Sequence, residues 1–212
     1  MIIAVDGPTA SGKGTIARRL AEHFGVPHLD TGLLYRAVGR QVAMNDGDPD
    51  SEVDALAGCA FADDLLEDEV LRSEEVGGLA SRVSVHPPVR EALFRRQRAF
   101  AEQPGGAVLD GRDIGTVIAP DAEVKLFITA SVTERARRRW LEMTASDFGS
   151  EIEIPLSEIE KDIVARDARD INRADAPLKA ASDALVIDTT SFDREQAFET
   201  VLEAVMQQLA RE

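Results

Sequence analysis

The chain has 212 residues, 44% of them apolar, which is enough to bury a full core without disulfide or metal staples. Its formal net charge of −15 would repel a long nucleic acid, so a polymer-binding protein built on a basic stripe is excluded. Cys59 is the only cysteine, no apolar run is long enough to span a bilayer, and no signal-like segment opens the chain, so no membrane partner and a reducing, cytoplasmic setting are expected.

The first element is the continuous apolar run 2–5, read as a buried strand. Gly7, Pro8, Thr9, Ala10, Ser11, Gly12, Lys13, Gly14 and Thr15 follow. An amphipathic stretch over 15–24 comes next, and Gly25 suits the end of its helix. Strand, glycine-rich turn and helix form the context of a phosphate-binding loop. Glycines let successive N–H groups turn toward an anion, and the helix N-terminus adds partial positive charge. Lys13 supplies a point charge for terminal phosphates. In one departure, Gly14 stands where a hydroxyl residue usually follows the lysine, and the hydroxyl comes one place later at Thr15.

A short extended piece over 26–30 leads into a helix expected over 31–44, with Leu34, Val38 and Val42 in register. Residues 46–50 are turn material, and Asp50 or Ser51 can cap a short helix to residue 57. Residues 59–70 mix apolar and acidic side chains, as in a small hairpin or an irregular stretch. Helices are expected over 74–83 and 89–103, the second starting after Pro87-Pro88. The runs 107–110 and 124–128 read as parallel core strands. A charged helix over 133–144, a loop over 146–155, a helix over 156–171, a strand over 184–187 and an amphipathic helix over 194–209 complete the chain.

Strands alternating with helices imply an α/β fold, a parallel sheet flanked by helices in three layers. Ligands bind at the carboxyl ends of such strands. Three unusual segments fall there: the phosphate loop, the run Asp30-Thr31-Gly32-Leu33-Leu34-Tyr35-Arg36, and the run Asp110-Gly111-Arg112-Asp113-Ile114-Gly115-Thr116. They should converge on one crevice. In the third, Gly111 and Gly115 allow close approach of backbone to a ligand, with Arg112 and Asp113 exposed at the strand end. Arg112 can bind phosphate, and Asp113 can accept from an exocyclic amine or a sugar hydroxyl. A turn with a local salt bridge is the alternative.

Only Lys13, Lys125, Lys161 and Lys179 are lysines among 24 basic residues. Arginine is the better bidentate phosphate ligand, although compositional bias also raises its share. Arg166, Asp170 and Arg173 share one helix face, either as a solvated ion pair or as a ligand-facing set. Arg135, Arg137, Arg138 and Arg139 crowd one helix, and solvent or an anion must relieve their repulsion. Nothing local marks Ser81 or Arg90. A phosphoryl-transfer enzyme with a phosphorylated acceptor needs many arginines, because its catalysis is mostly positioning and charge neutralisation.

These residues resemble one family nearly end to end. The matching stretches are Ile3-Ala4-Val5-Asp6-Gly7-Pro8 into Gly12-Lys13-Gly14-Thr15, Asp30-Thr31-Gly32 with Tyr35-Arg36, and Pro88-Val89-Arg90 with Arg95-Arg96-Gln97-Arg98. They continue through Asp110-Gly111-Arg112-Asp113-Ile114-Gly115-Thr116-Val117, then Arg166-Asp167 and Arg169-Asp170 with Asn172-Arg173, and finally 181–188. The sequence is similar to the bacterial cytidylate (CMP/dCMP) kinases of the nucleoside monophosphate kinase group, in which a glycine after the lysine is at home.

The resemblance implies a single phosphate-loop kinase domain, usually monomeric. Its core would comprise residues 1–30 and 104–212, with an inserted helical acceptor-binding lobe over 31–103 and a lid over 144–156. It implies transfer of the ATP γ-phosphoryl group to CMP or dCMP with Mg²⁺. Residues 7–15 would hold ATP, with Lys13, Arg112 and Arg173 as the catalytic cations. Thr31, Ser81, Arg90 and Asp113 would surround the cytosine. Arg36, Arg112 and Arg173 would hold the acceptor phosphate, Arg166 and Asp170 would meet the ribose, and Tyr35 would line the pocket. Arg135, Arg138 and Arg139 would belong to the lid, and Thr15, or alternatively Asp110, would lie near the metal. Residues 59–76 are short against the strand-rich insert of many relatives. Two other readings stand beside this one: a phosphate-loop kinase for another small acceptor such as UMP, AMP or a sugar acid, and a nucleotide-dependent switch.

Overall fold

Ile3, Ala4 and Val5 are wholly buried, and the strand they form is the central one of five. The structure is a computed structural model describing residues 1–145 and 154–210. Its elements run β1 (Ile2–Asp6), α1 (Lys13–Phe24), β2 (His28–Asp30), α2 (Thr31–Met44), α3 (Glu52–Gly58), α4 (Glu74–Val83), α5 (Pro87–Ala101) and β3 (Ala107–Gly111). After these come β4 (Val124–Thr129), α6 (Val132–Ala145), α7 (Leu156–Ile171), β5 (Leu185–Asp188) and α8 (Arg194–Leu209). All pairings are parallel, in the order β2-β3-β1-β4-β5. Burial on both faces explains why β1 reads as an unbroken apolar run rather than an alternating one.

One sheet face packs against α1 and α8, with Ile16, Leu20, Val201 and Val205 against Ile3, Val5, Leu126 and Ile128. On the other face Ala4 and Leu109 meet Ala101 of α5 and Ile114 and Ile118 of a π-turn over Ile114–Ile118. The helices α2 to α5, between β2 and β3 in the chain, have a core of their own. There Leu34, Val38 and Val42 meet Ala55, Val83, Val89 and Leu93. Gly39 lets α2 and α4 touch, since a Cβ on it would lie 2.8 Å from Leu79 Cβ.

Most expected elements are present within two residues. Of the two readings of 59–70 the irregular one holds, with 3-10 turns over Asp63–Glu67 and Glu69–Arg72 and no hairpin. The Asp68 side chain accepts from Val70 N, a local bond that competes with extended pairing, and Leu71 folds under against Ala37 and Val76. Helix α5 starts at Pro87, two residues before the expected Val89. Both prolines sit in its first turn, where a missing N–H leaves no helical bond unmade. Helices α6 and α7 pack through Ala136, Ile159 and Ile163. The loop expected to close the site falls largely on 146–153, outside the described residues. Among the described residues no helix is long and apolar enough to cross a membrane.

Candidate active site

The phosphate loop leaves β1 and enters α1 at Gly12, whose φ of 87° suits glycine. Gly7 is required by proximity, because a Cβ there would lie 2.1 Å from Ile128 O. Arginines brace the loop from three directions. Arg135 Nη1 donates to Thr9 O at 2.9 Å, Arg138 Nη1 to Ser11 O at 3.2 Å, and Arg112 Nη2 to Thr9 Oγ1 at 2.9 Å. Lys13 is buried and its Nζ donates to Pro8 O at 3.3 Å. Burial, with help from Arg112, pulls its pKa down to about 8, against the attraction of Asp110, Asp30 and Asp170.

The expected metal residues differ in exposure, Asp110 being buried. Thr15 is exposed. Gly14 leaves the Asp110 carboxylate open to the loop, its absent Cβ standing 3.6 Å from Asp110 Oδ2, while Oδ1 is engaged by His28 Nε2 at 2.8 Å. Among the described residues no three metal-binding side chains cluster. This donor set fits Mg²⁺ arriving with a nucleotide, since that ion keeps several waters and takes only one or two protein oxygens.

At the end of β2, Asp30 caps α2 by accepting from Gly32 N at 2.9 Å, and Thr31 Oγ1 donates to Asp110 O at 2.8 Å. Arg36 Nη1 donates to Leu71 O at 2.6 Å and Ser73 O at 2.9 Å, and burial lowers its pKa to about 10. The Tyr35 hydroxyl is pushed up to about 12 by burial.

At the end of β3 the expected exposure of Arg112 and Asp113 is corrected. Asp113 is 5% exposed and accepts from Arg90 Nη2 at 2.5 Å. The cause is Asp6. Its buried carboxyl accepts from Ile114 N and Gly115 N, each at 2.8 Å, and so folds the π-turn back under the sheet end and tucks Asp113 inward. Burial raises Asp6 to about 7 despite these two donors. Gly111 and Gly115 also lie close to other parts of the protein. Their absent Cβ atoms would lie 2.6 Å from Thr31 Oγ1 and 3.3 Å from the Lys125 side chain. Arg112 is mostly covered, with Nε donating to Asp170 Oδ2 at 2.7 Å.

Arg166 and Asp170 of α7, and Arg173 two residues beyond its end, are turned inward rather than solvated, and all three are buried. Burial alone would raise the Asp170 carboxyl, but Arg112 and Arg173 beside it hold it below the ordinary carboxylate range. Arg166 pairs with Glu74 of α4 and with Asp162 at 2.8 Å. The crowded arginines of α6 are relieved by carboxylates. Arg135 meets Asp167 at 2.7 Å, Arg137 and Arg138 meet Glu134 at 2.8 and 3.0 Å, and Arg139 meets Glu74.

Thr31, Tyr35, Arg36, Ser81, Arg112, Asp113, Arg166, Asp170 and Arg173 line one cavity of about 120 Å³, with Thr9 of the phosphate loop on its wall. Arg90 is not on that wall. It lies one layer back, behind Asp113, and lines a groove of about 440 Å³ with Tyr35 and Asp175. Ligand pockets usually measure ~300 Å³ or more; this cavity is smaller, with the ion pairs of Arg112, Arg166 and Arg173 on its wall.

Sequence reasoning missed Asp6, Glu74, His28 and Arg169. Asp6 carried a signal, as an acid at the end of a wholly apolar strand. Glu74 stands seven residues before Ser81, on the same face of α4. His28 and Arg169 had no local mark.

A phosphate loop leaving the central strand of this parallel sheet, with an arginine-lined cavity against it, is the α/β architecture of the phosphate-loop nucleotide kinases. The family model described as "Cytidylate kinase" matches residues 3–208, and the chain belongs to that family. It is 55% identical over 203 residues to a cytidylate kinase of Cereibacter sphaeroides (strain KD131 / KCTC 12085), covering 96% of this chain and 94% of that one. A cytidylate kinase of Granulibacter bethesdensis is 51% identical over 212 residues, covering 100% and 99%. A crystal structure of an uncharacterized protein from Eubacterium ventriosum shares the fold, with a TM-score of 0.54 at 14% identity over 98% of both chains.

Proposed function

We propose that this chain transfers the γ-phosphoryl group of ATP to CMP or dCMP, giving ADP and CDP or dCDP. The observation that carries the proposal is the position of Arg112. One guanidinium reaches Thr9 of the phosphate loop and Asp170 of the cavity at 2.9 and 2.7 Å, so it stands between the two anionic substrates.

The loop N–H groups and Lys13 hold the ATP phosphates. Arg36, Arg112 and Arg173 hold the acceptor phosphate, and Lys13, Arg112 and Arg173 neutralise charge on the equatorial oxygens of the moving phosphoryl group. Arg166 and Asp170 hold the ribose. Thr31, Ser81 and Asp113 read the base, with Arg90 meeting it from behind Asp113, and Tyr35 closes the pocket wall. Mg²⁺ would be held by the Thr15 hydroxyl and Asp110, directly or through water, and supplies further neutralisation of the phosphates. The helices α2 to α5 act as the acceptor-binding lobe, and Arg135, Arg138 and Arg139 of α6 stand at the base of the lid. Every group named comes from one chain, so a monomer is complete.

The test is steady-state ADP formation with CMP, dCMP, UMP and AMP as acceptors. Turnover that requires CMP or dCMP is expected, and turnover with none of them overturns the proposal. Lys13→Ala should lower kcat by ~10²–10³-fold, the usual cost of removing one preorganised charge-stabilising group.

A further inference from the structure

The base-reading residues are themselves held by groups outside the cavity, and one of these favours a polarity. Ser81 Oγ lines the cavity and accepts a hydrogen bond from Arg169 Nε at 2.9 Å. Arg169 comes from α7 and is not among the lining residues. A serine hydroxyl has one O–H and two lone pairs. Arg169 takes one lone pair, which leaves the O–H and the second lone pair. Donation into Oγ also draws electron density off the oxygen, which makes the hydroxyl a better donor and a poorer acceptor.

We infer that Arg169 is a positioning residue that biases Ser81 toward offering its O–H to the substrate base, and so favours a base with an acceptor at that edge. The inference rests on the proposed function. Cytosine presents an acceptor at ring N3 where uracil presents N3–H. A hydroxyl made a better donor and a poorer acceptor therefore suits cytosine and opposes uracil. Without Arg169 that bias is lost, and the hydroxyl accepts from uracil more readily. The same bond makes discrimination depend on helix packing. Arg166 and Arg169, three apart on α7, reach Glu74 and Ser81, seven apart on α4. The donor bias is set only while these two helices are docked.

The experiment measures kcat/KM for CMP and UMP in the wild-type chain, Arg169→Met, Ser81→Ala and the double variant, with KM for ATP as a control for folding. Arg169→Met should lower the CMP-to-UMP ratio on the order of tenfold, the effect of one hydrogen bond. The loss should fall mainly on KM for CMP, and KM for ATP should stay unchanged. In the Ser81→Ala background Arg169→Met should have no further effect on the ratio. If Arg169→Met does not fold, Arg169→Lys reads the same ratio, because an ammonium does not reproduce the Nε geometry. An unchanged ratio, or an equal fall with and without the Ser81 hydroxyl, overturns the inference. A wild-type chain that phosphorylates no pyrimidine monophosphate instead overturns the proposed function.

Discussion

Lys13 carries a charge that its surroundings disfavour. Burial and Arg112 lower its pKa to about 8, whereas nucleotide phosphates favour its charged form. The sign follows from linkage. The free enzyme loses the ammonium as pH rises through about 8, and ATP binding restores it. Nucleotide affinity should therefore weaken above pH 8, by up to ~tenfold per pH unit. Titration calorimetry at pH 8.5 in two buffers of different ionisation enthalpy should show proton uptake, and buffer-independent heats would contradict the shift. Asp113 makes a different prediction. Its carboxylate is the buried partner of Arg90, so Asp113→Ala should cost ~3–5 kcal/mol in urea unfolding, the usual result of orphaning a buried charge. Asp113→Asn keeps an acceptor oxygen and separates stability from base choice. A fall in its CMP-to-UMP ratio is expected, and an unchanged ratio would remove Asp113 from base reading.

At the scale of elements, α4 holds both Ser81 and Glu74, and its placement depends on Gly39 of α2. A Cβ at 39 would lie 2.8 Å from Leu79 Cβ and 3.0 Å from Leu79 C, and backbone does not yield cheaply. Gly39→Ala should destabilise by ~1–3 kcal/mol, as overpacking does. By pushing α4 outward it should also raise KM for CMP while leaving KM for ATP alone, since the phosphate loop belongs to β1 and α1. Equal changes in both constants would show that α4 does not act on the acceptor site by itself. The π-turn is the other element that matters. Asp6 holds it with two backbone N–H bonds, and that turn is why Asp113 faces inward.

Across the whole molecule, charge is sorted by position. Several arginines face inward and bridge elements: Arg138 ties α6 to the phosphate loop, and Arg139 and Arg166 tie α6 and α7 to α4 through Glu74. Many of the acids lie outside, and the net charge of −15 repels itself. Buried pairs are little screened by salt, but exposed repulsion is. Raising ionic strength from ~0.01 M to ~0.15 M shortens the Debye length from ~30 Å to ~8 Å and should raise Tm by a few degrees. A fall in Tm would mean that exposed ion pairs such as Arg82 with Asp50 outweigh the repulsion.

The sequence by itself determined the phosphate loop, the alternation of strand and helix, and the three strand ends that meet at the cavity. These are local signals: a glycine turn beside a lysine, apolar periodicity, and a cap such as Ser51, which the structure shows in use. Tertiary structure alone decided which way the charged groups face. Arg112 and Asp113 read as an exposed strand end, and Arg166, Asp170 and Arg173 fit a solvated face equally well. Asp6, Arg90 and Glu74, distant in the chain, turn them inward. A buried charge is tolerable only beside its partner. Asp162 and Asp170 stand three or four residues from Arg166 and Arg173, but the partners that join separate elements lie 23 to 92 residues away. No window of sequence contains that pairing, so the site's residues were legible one by one while their partners, and the side of Asp113 on which Arg90 sits, were not.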